Sequence, residues 1–456
     1  MTEVRATLHP GETLTLRIDS LVAGGEGLAR VDGRVVFVPG VMPGELVEAS
    51  VLTVQKHHAR ALVQRVLEAS PERVAPPCSV FGRCGGCTWQ YLSPAGQLAA
   101  KRELVREALE RLGGLHGLDV APVVGMDEPW AYRAKAHWAL GRVDGRLRLG
   151  WYAPRSHDLV VPEACLIQAD PLEEVRQVLE KALAPLGDAL YDERTGRGWL
   201  RSAFARLAAG TGEVLVGVVG FSDEAPDGGA WVDRLRKALP CPATVVLNVH
   251  PEYGNKLLGS RTRVLYGTGR ILERVGDLEF VLSATSFFQV NPRQTAVLFA
   301  ILRELAGLTG QERVLDAYCG TGALGLAVAA GAREVLGIEV VSSAVSDARD
   351  NARRNGVAHA SYCEGTVEGL LPELVASGWR PDVVLLDPPR KGLESSVIAT
   401  LAEVRPRRIV YTSCEPATLA RDLAAFVAAG WRVDAVRPLD MFPQTAHVET
   451  VVRLEG

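Results

Sequence analysis

Arg313-Val-Leu-Asp-Ala-Tyr-Cys-Gly-Thr-Gly-Ala-Leu-Gly325 is the stretch that decides the fold. Arg313–Tyr318 reads as a strand, and a helical pattern follows over 323–330. A strand turning through Gly320, Gly322 and Gly325 into a helix lets backbone approach a nucleotide-like ligand closely. Some twenty residues on, Glu339 closes a second strand, Glu334-Val-Leu-Gly-Ile-Glu339, where a carboxylate suits ribose hydroxyls. Taken alone, this fingerprint fits a nicotinamide cofactor as well as S-adenosylmethionine.

Working outward, strands at Asp382–Leu386 and Ile409–Thr412 alternate with helical patterns at 343–355 and 416–429. Continuous apolar strands of this kind belong to a parallel sheet buried on both faces, hence a doubly wound, Rossmann-like α/β domain. Pieces at 432–437 and 447–454 finish the sheet. Asp387-Pro-Pro-Arg390 follows the fourth strand and breaks the tie in favour of a methyl donor. It sets one carboxylate on a prolyl-rigid loop at the sheet's carboxyl edge, where ligands sit. Amine-methylating enzymes resemble this region but usually place an aromatic residue after the prolines. Arg390 in that position argues for another acceptor.

Two residues near the end carry the chemistry. Arg408-Ile-Val-Tyr-Thr-Ser-Cys414 is a buried-strand pattern ending on a cysteine, and Glu449 interrupts the last apolar run. A thiolate and a carboxylate suit addition–elimination at an electron-poor ring such as uracil, whose C5 becomes nucleophilic only after a thiolate adds to C6. Cys414 is the candidate nucleophile, aided by the dipole of a helix starting at Pro416, and Glu449 is the candidate base. The plain alternative for Cys414 is a small buried hydrophobe. A carboxylate in an apolar strand is harder to explain as structure, because burying it unpaired is costly. His447 receives no catalytic role, and Cys241, Cys319 and Cys363 read most simply as core residues.

The 456 residues exceed one compact core, so two or three domains are expected. Fifty Lys and Arg against 54 acidic residues leave a net charge of −4, so any basic, nucleic-acid-binding surface must be local. The N-terminus lacks the apolar core of a signal peptide, and no run approaches a membrane span. A cytoplasmic monomer without membrane partners is the expectation. Residues 11–67 alternate apolar and polar positions between glycine and proline turns, which reads as a small barrel. Nucleic-acid contact and inert packing suit that barrel equally well. A proline-bearing linker at 70–77 leads to Cys78-x5-Cys84-Gly-Gly-Cys87 and an amphipathic helix from Ser93 to Leu112. With Cys165 as a fourth ligand, the spacing admits zinc or an iron–sulfur cluster. It is not the Cys-x3-Cys-x2-Cys spacing of radical enzymes. Between 130 and 280 lies a second α/β or α+β unit whose connectivity the pattern does not reveal. Arg133, Lys135 and His137 suit phosphate contact, with a solvated basic strand as the default reading.

Phe287-Phe-Gln289-Val-Asn291, Asp316–Gly322, Leu386-Asp-Pro-Pro-Arg390, Tyr411-Thr-Ser-Cys414 and His447-Val-Glu-Thr450 together resemble the RNA uracil-C5 methyltransferases that make 5-methyluridine. The resemblance implies donor contacts from Gln289, Tyr318, Glu339 and Asp387, beside the backbone approach read at Gly320, with Cys414 as nucleophile and Glu449 as base. Ala323, Thr366 and Glu415 stand where family members often have asparagine, and the third-strand donor contact falls at Gly365-Thr366. The N-terminal barrel is similar to the TRAM domain, an RNA-binding module. Cys84-Gly-Gly-Cys87-Thr-Trp-Gln resembles the family's cluster-binding segment, which turns the cysteine reading toward [4Fe–4S] on Cys78, Cys84, Cys87 and Cys165. Bacterial members specific for tRNA typically lack both barrel and cysteines, so the resemblance implies 23S ribosomal RNA, with tRNA as the alternative. The domains expected are a TRAM-like barrel over 5–68, a central iron–sulfur domain over 69–285 and an S-adenosylmethionine-dependent catalytic domain over 286–456. Two other classes compete: a dehydrogenase, which leaves Asp387, Cys414 and Glu449 unexplained, and a non-catalytic RNA-binding assembly factor.

Overall fold

Alternating side chains need one buried and one solvated face. Here they form β1 (Thr13–Arg17), β2 (Ser20–Leu21), β3 (Gly27–Val31), β4 (Arg34–Val38), β5 (Leu46–Val54) and β6 (His58–Glu68). These are seen in a computed structural model that describes residues 8–22, 24–192, 194–239, 241–252, 254 and 256–456. Residues 5–7 of the expected barrel lie outside the described residues. The six strands form one sheet in the order β1-β5-β6-β4-β3-β2, antiparallel except for the β4–β6 pair. Leu16, Val36, Val38, Val47, Ala49, Ala59 and Ala61 give this sheet a core of its own, completed by Leu8, Ile18 and Val41 from segments outside the strands.

Helix α1 (Pro94–Arg111) starts where Ser93 Oγ accepts the Gly96 N–H at 2.9 Å, with Pro94 at its first position. Its buried Val105 and Leu109 share a core with Leu419, Leu423 and Phe426 near the chain's end. The helix therefore rests on the C-terminal domain, although its sequence position places it in the central one.

The central unit contains β7 (Lys135–Val143), β8 (Arg146–Tyr152), β9 (Leu159–Val160), α2 (Asp170–Leu183), β10 (Leu200–Leu207), β11 (Val214–Gly220), α3 (Ala230–Ala238), β12 (Ala243–Val249) and β13 (Arg261–Tyr266). Its sheet runs β13-β12-β11-β10-β7-β8-β9, and only β11–β12, bridged by α3, is parallel. Apolar residues of α2 and α3, among them Leu172, Val175, Trp231 and Leu235, cover one face. A hairpin follows, β14 (Arg270–Val275) and β15 (Leu278–Ser283). It docks on the C-terminal domain: the Glu279 and Val281 amides donate to Asn355 Oδ1 (2.9 Å) and Asn351 Oδ1 (2.7 Å). The boundary expected at 286 thus falls just after an element already packed on the catalytic side.

The C-terminal domain begins with α4 (Pro292–Ala306), β16 (Arg313–Ala317), α5 (Ala323–Val328), β17 (Glu334–Glu339), α6 (Ser342–Arg354), β18 (Ala360–Glu364) and α7 (Val367–Ala376). It ends with β19 (Val383–Leu386), α8 (Ser395–Val404), β20 (Arg408–Ser413), α9 (Pro416–Ala428), β21 (Arg432–Leu439) and β22 (Glu449–Glu455). The sheet order is β18-β17-β16-β19-β20-β22-β21. Strands β16 to β20 pair in parallel, and β22 runs antiparallel between β20 and β21. All four residues of β19 are buried, as expected of a strand covered by helices on both faces. Connections lead outward from β16 on one side and from β19 on the other, so the topological switch point lies between them. Among the described residues, no helix is long and apolar enough to cross a membrane.

Candidate active site

A cavity of about 700 Å³ opens at the carboxyl ends of β16 and β19, where an open α/β sheet leaves its crevice. Gln289, Tyr318, Gly320, Glu339, Thr366, Asp387, Cys414 and Glu449 all line it. Eight residues drawn from seven separate stretches of sequence thus meet in one space.

The loop after β16 supplies the floor. Tyr318 sits at φ 63° without being glycine, a strained conformation of the sort found at ligand-binding turns. Its hydroxyl donates to Glu368 Oε1 at 2.9 Å. Gly320 follows at φ 54°, where a side chain would be strained. Its amide donates to Glu339 Oε2 at 3.0 Å, and the Val341 amide donates to Oε1 at 2.8 Å. Glu339 keeps further lone pairs free for ligand hydroxyls. Thr366 lines the cavity, but its hydroxyl caps α7 by accepting the Gly369 N–H at 3.2 Å.

The reacting side lies on the last strands. Ser413 pairs with Thr450 across β20 and β22, so the next rung of that antiparallel ladder brings Cys414 beside Glu449. Cys414 stands just before the Glu415 N-cap of α9. Burial pushes its thiol up to about 11, helped by Glu449 and Asp387, while the nearby Arg390 guanidinium pulls the other way. Burial raises Glu449 well above the usual carboxylate range, Asp387 adds to this and Arg390 opposes it. Burial likewise raises Asp387. Two acids with raised affinity for protons therefore flank the thiol, and the Arg390 guanidinium opposes the shifts of Glu449 and of the thiol itself.

Four wall residues carried no assigned role in the sequence. Phe287 is 66% exposed at the rim, Phe442 and His447 meet edge to face at 5.9 Å, and Arg390 faces the sulfur. An exposed aromatic inside a recurring motif was the available signal for Phe287. Nothing local marked Phe442, which reaches the cavity through the fold. Among the expected core cysteines, Cys319 is buried and Cys241 and Cys363 are half-buried.

A second cavity, of about 240 Å³, is lined by Cys78, Cys84, Cys87 and Cys165 together with Arg133 and His137. The four cysteines picked from spacing therefore do converge. Even so, no group of three or more His, Cys, Asp or Glu side chains among the described residues forms a ready site for a single metal ion. Arg133, Lys135 and His137 are half-buried rather than solvated, and burial with Arg206 and Arg133 nearby lowers Lys135 to about 8.

Comparison with known proteins agrees with this geometry. The description "tRNA (Uracil-5-)-methyltransferase" matches residues 272–456, and a TRAM domain matches residues 8–63. An uncharacterised RNA methyltransferase of Halalkalibacterium halodurans is 41% identical over 100% of this chain and 99% of its own. Another, from Bacillus cereus, is 40% identical over 98% of this chain and 97% of its own. The chain belongs to the RNA uracil-5 methyltransferase family. The crystal structure of Pyrococcus abyssi tRNA (uracil-54, C5)-methyltransferase with S-adenosyl-L-homocysteine superposes with a TM-score of 0.76 at 26% identity. It covers 97% of this chain and 100% of that one. The protein is an S-adenosylmethionine-dependent RNA methyltransferase with an N-terminal TRAM domain, and the dehydrogenase and non-catalytic readings fall away.

Proposed function

We propose that this RNA uracil-5 methyltransferase acts on a uridine of 23S ribosomal RNA through a covalent bond between Cys414 and uracil C6. The observation that carries the proposal is the shared cavity: Cys414, just past the end of β20, and Glu449, at the start of β22, face the same space as Gly320, Glu339 and Asp387. When bound there, the donor supplies an electrophilic methyl on a sulfonium sulfur. Glu339 takes its ribose hydroxyls, and Gln289, Tyr318, Gly320, Thr366 and Asp387 bound the remainder.

Cys414 gives up its proton to solvent and the thiolate adds to C6, leaving electron density at C5. C5 takes the methyl group, Glu449 removes the C5 proton, and the C5–C6 double bond re-forms as the thiolate leaves. Arg390 favours the ionised form of both groups. Asp387, with its raised proton affinity, is suited to donate to a uracil carbonyl.

We assign residues 5–68 to RNA binding, 69–285 to a cluster-bearing unit and 286–456 to catalysis. The four cysteines fit a [4Fe–4S] group by donor chemistry. Thiolates on one zinc stand about 3.8 Å apart for Zn–S bonds of about 2.3 Å. In a cluster each thiolate takes its own iron, so the sulfurs spread around a larger body. Four cysteines lining one cavity supply the four thiolates such a group takes. No reaction step needs the cluster.

Choice of RNA rests on the barrel-plus-cysteine architecture. The Pyrococcus abyssi match supports the second reading, tRNA, because a chain of the same extent is described as acting on it. Transcripts of 23S ribosomal RNA and of tRNA carrying tritium at uracil C5 test both. Donor-dependent tritium release from the ribosomal transcript alone is expected. Release from tRNA alone selects the second reading, and methyl transfer without release overturns C5 as the acceptor.

A further inference from the structure

Asp440–Val448 joins β21 to β22 and leads directly into Glu449. Two of its residues, Phe442 and His447, wall the reaction cavity. Yet the segment takes much of its support from outside the catalytic domain. Lys101, fully buried on α1, bonds the Asp440 carboxylate and donates to the Phe442 carbonyl at 3.0 Å. Gln97, one turn earlier on the same helix face, holds Gln444 twice: its amide donates to Gln444 Oε1 (3.0 Å), and its Oε1 accepts the Gln444 N–H (2.8 Å). The Thr88 and Trp89 amides both donate to the Gln444 carbonyl at 3.0 Å, and Thr88 Oγ1 accepts the Ala446 N–H at 3.2 Å. Tyr132 donates to the Pro443 carbonyl at 3.0 Å.

This concentration of buried bonds is aimed at one residue in a costly conformation. Gln444 is buried, and its φ of 68° is one a non-glycine residue keeps only where its surroundings over-determine it. Thr88 follows Cys87 directly in sequence. Trp89 in turn donates its indole N–H to the Gly25 carbonyl of the TRAM domain at 3.2 Å. The cysteine-bearing segment, the TRAM domain and the reaction cavity therefore meet through a few bonds around Gln444.

From this we infer that Asp440–Val448 is a strap, and that Gln97 and Lys101 are positioning residues that fix Glu449 and His447 against the substrate. The cysteine-bearing segment acts on the reacting pair through Thr88 and the same strap. The inference rests on the assignment of Glu449 as base. A loosened strap leaves donor contacts on β16 and β17 in place and spoils the last step, removal of the C5 proton.

The full-length chain carrying Gln97→Leu tests it, with an unmodified 23S transcript as the RNA probe. The expected result is a kcat lower by about 10²-fold, the loss typical of a misplaced reacting group. Affinity for S-adenosyl-L-homocysteine should stay within about twofold, and a Cys414–RNA adduct stable on denaturing gels should build up. Glu449→Gln is run beside it. Adduct with Glu449→Gln but none with Gln97→Leu overturns the strap alone. Adduct with neither removes the base assignment, and the strap falls with it. Where Gln97→Leu does not fold, Thr88→Val is read by the same criteria, since it deletes one hydroxyl and keeps both backbone bonds to Gln444.

Discussion

The Gly320 amide donates to Glu339 Oε2 across 3.0 Å, so the end of the second strand of the catalytic sheet holds the turn that follows the first. A carboxylate offers about four acceptor positions. Gly320 and Val341 use two of them, leaving the rest for a pair of ribose hydroxyls. Charge-assisted bonds of that kind contribute about 1.5–3 kcal/mol each. Glu339→Ala should therefore weaken S-adenosylmethionine binding by about 10²- to 10⁴-fold in calorimetry, with Glu339→Gln falling between. Unchanged affinity in the alanine variant would remove Glu339 from the donor site.

Burial holds the Cys414 thiol at about 11 in the free cavity, against the pull of Arg390. Below that value each pH unit multiplies the thiolate by about ten, and the thiolate is the reactive form. Alkylation of Cys414 by iodoacetamide, followed on its peptide by mass spectrometry, should rise about 100-fold from pH 7 to pH 9 without levelling. Arg390→Met should slow it further at every pH in that range. A plateau near pH 8 would show that the free enzyme already stabilises the thiolate, leaving Arg390 no such part.

Asp316 lies near the end of β16, fully buried. Oδ2 accepts the Gly325 N–H at 2.8 Å, while Oδ1 has no partner among the described residues. Burial pushes this carboxyl up to about 7, with Asp387 and Glu339 adding to the shift and Gly325 opposing it. The sign follows from linkage: a carboxyl whose folded pKa exceeds its unfolded one, about 3.9, binds protons more tightly when folded. Its contribution to stability is present at low pH and fades as pH rises from about 4 to about 7. Asp316→Asn has no such charge to bury, so its melting temperature should gain on wild type between pH 5 and pH 8. A constant difference across that range contradicts the shift.

How much of this could be read from sequence depends on which physical signal each part carries. The strands holding Tyr318, Glu339, Asp387 and Cys414 are continuous apolar runs that end on a polar residue, and their ends mark the sheet's carboxyl edge. They fall within a residue of where the pattern set them. β18 (Ala360–Glu364) was marked only through the contact expected at its end, Gly365-Thr366, because, as an edge strand, it alternates and exposes Ser361 and Glu364. Helix α7 carries Pro372 in its interior, which reads as a break rather than as a helix. The central sheet pairs β10 with β7 across an intervening helix, and no local pattern encodes that pairing. Thr366 illustrates a different limit: its position in the cavity was legible, its use as a helix cap was not. The strap is the furthest from sequence, since Gln97 and Gln444 stand 347 residues apart.

The cysteine cavity gives the last expectation. Protein purified without oxygen should be brown and contain iron and acid-labile sulfide in equal amounts, about four of each per chain. Cys87→Ser should lose the colour and most of the iron, because the cavity then offers three thiolates in place of four. It should also lower the melting temperature, since Thr88 and Trp89, which follow immediately, hold the Gln444 carbonyl. S-adenosyl-L-homocysteine binding should survive, because Gly320 and Glu339 take no support from that segment. Stoichiometric zinc in a colourless protein would instead mean that the four sulfurs close on one ion, and the larger group would have to be withdrawn.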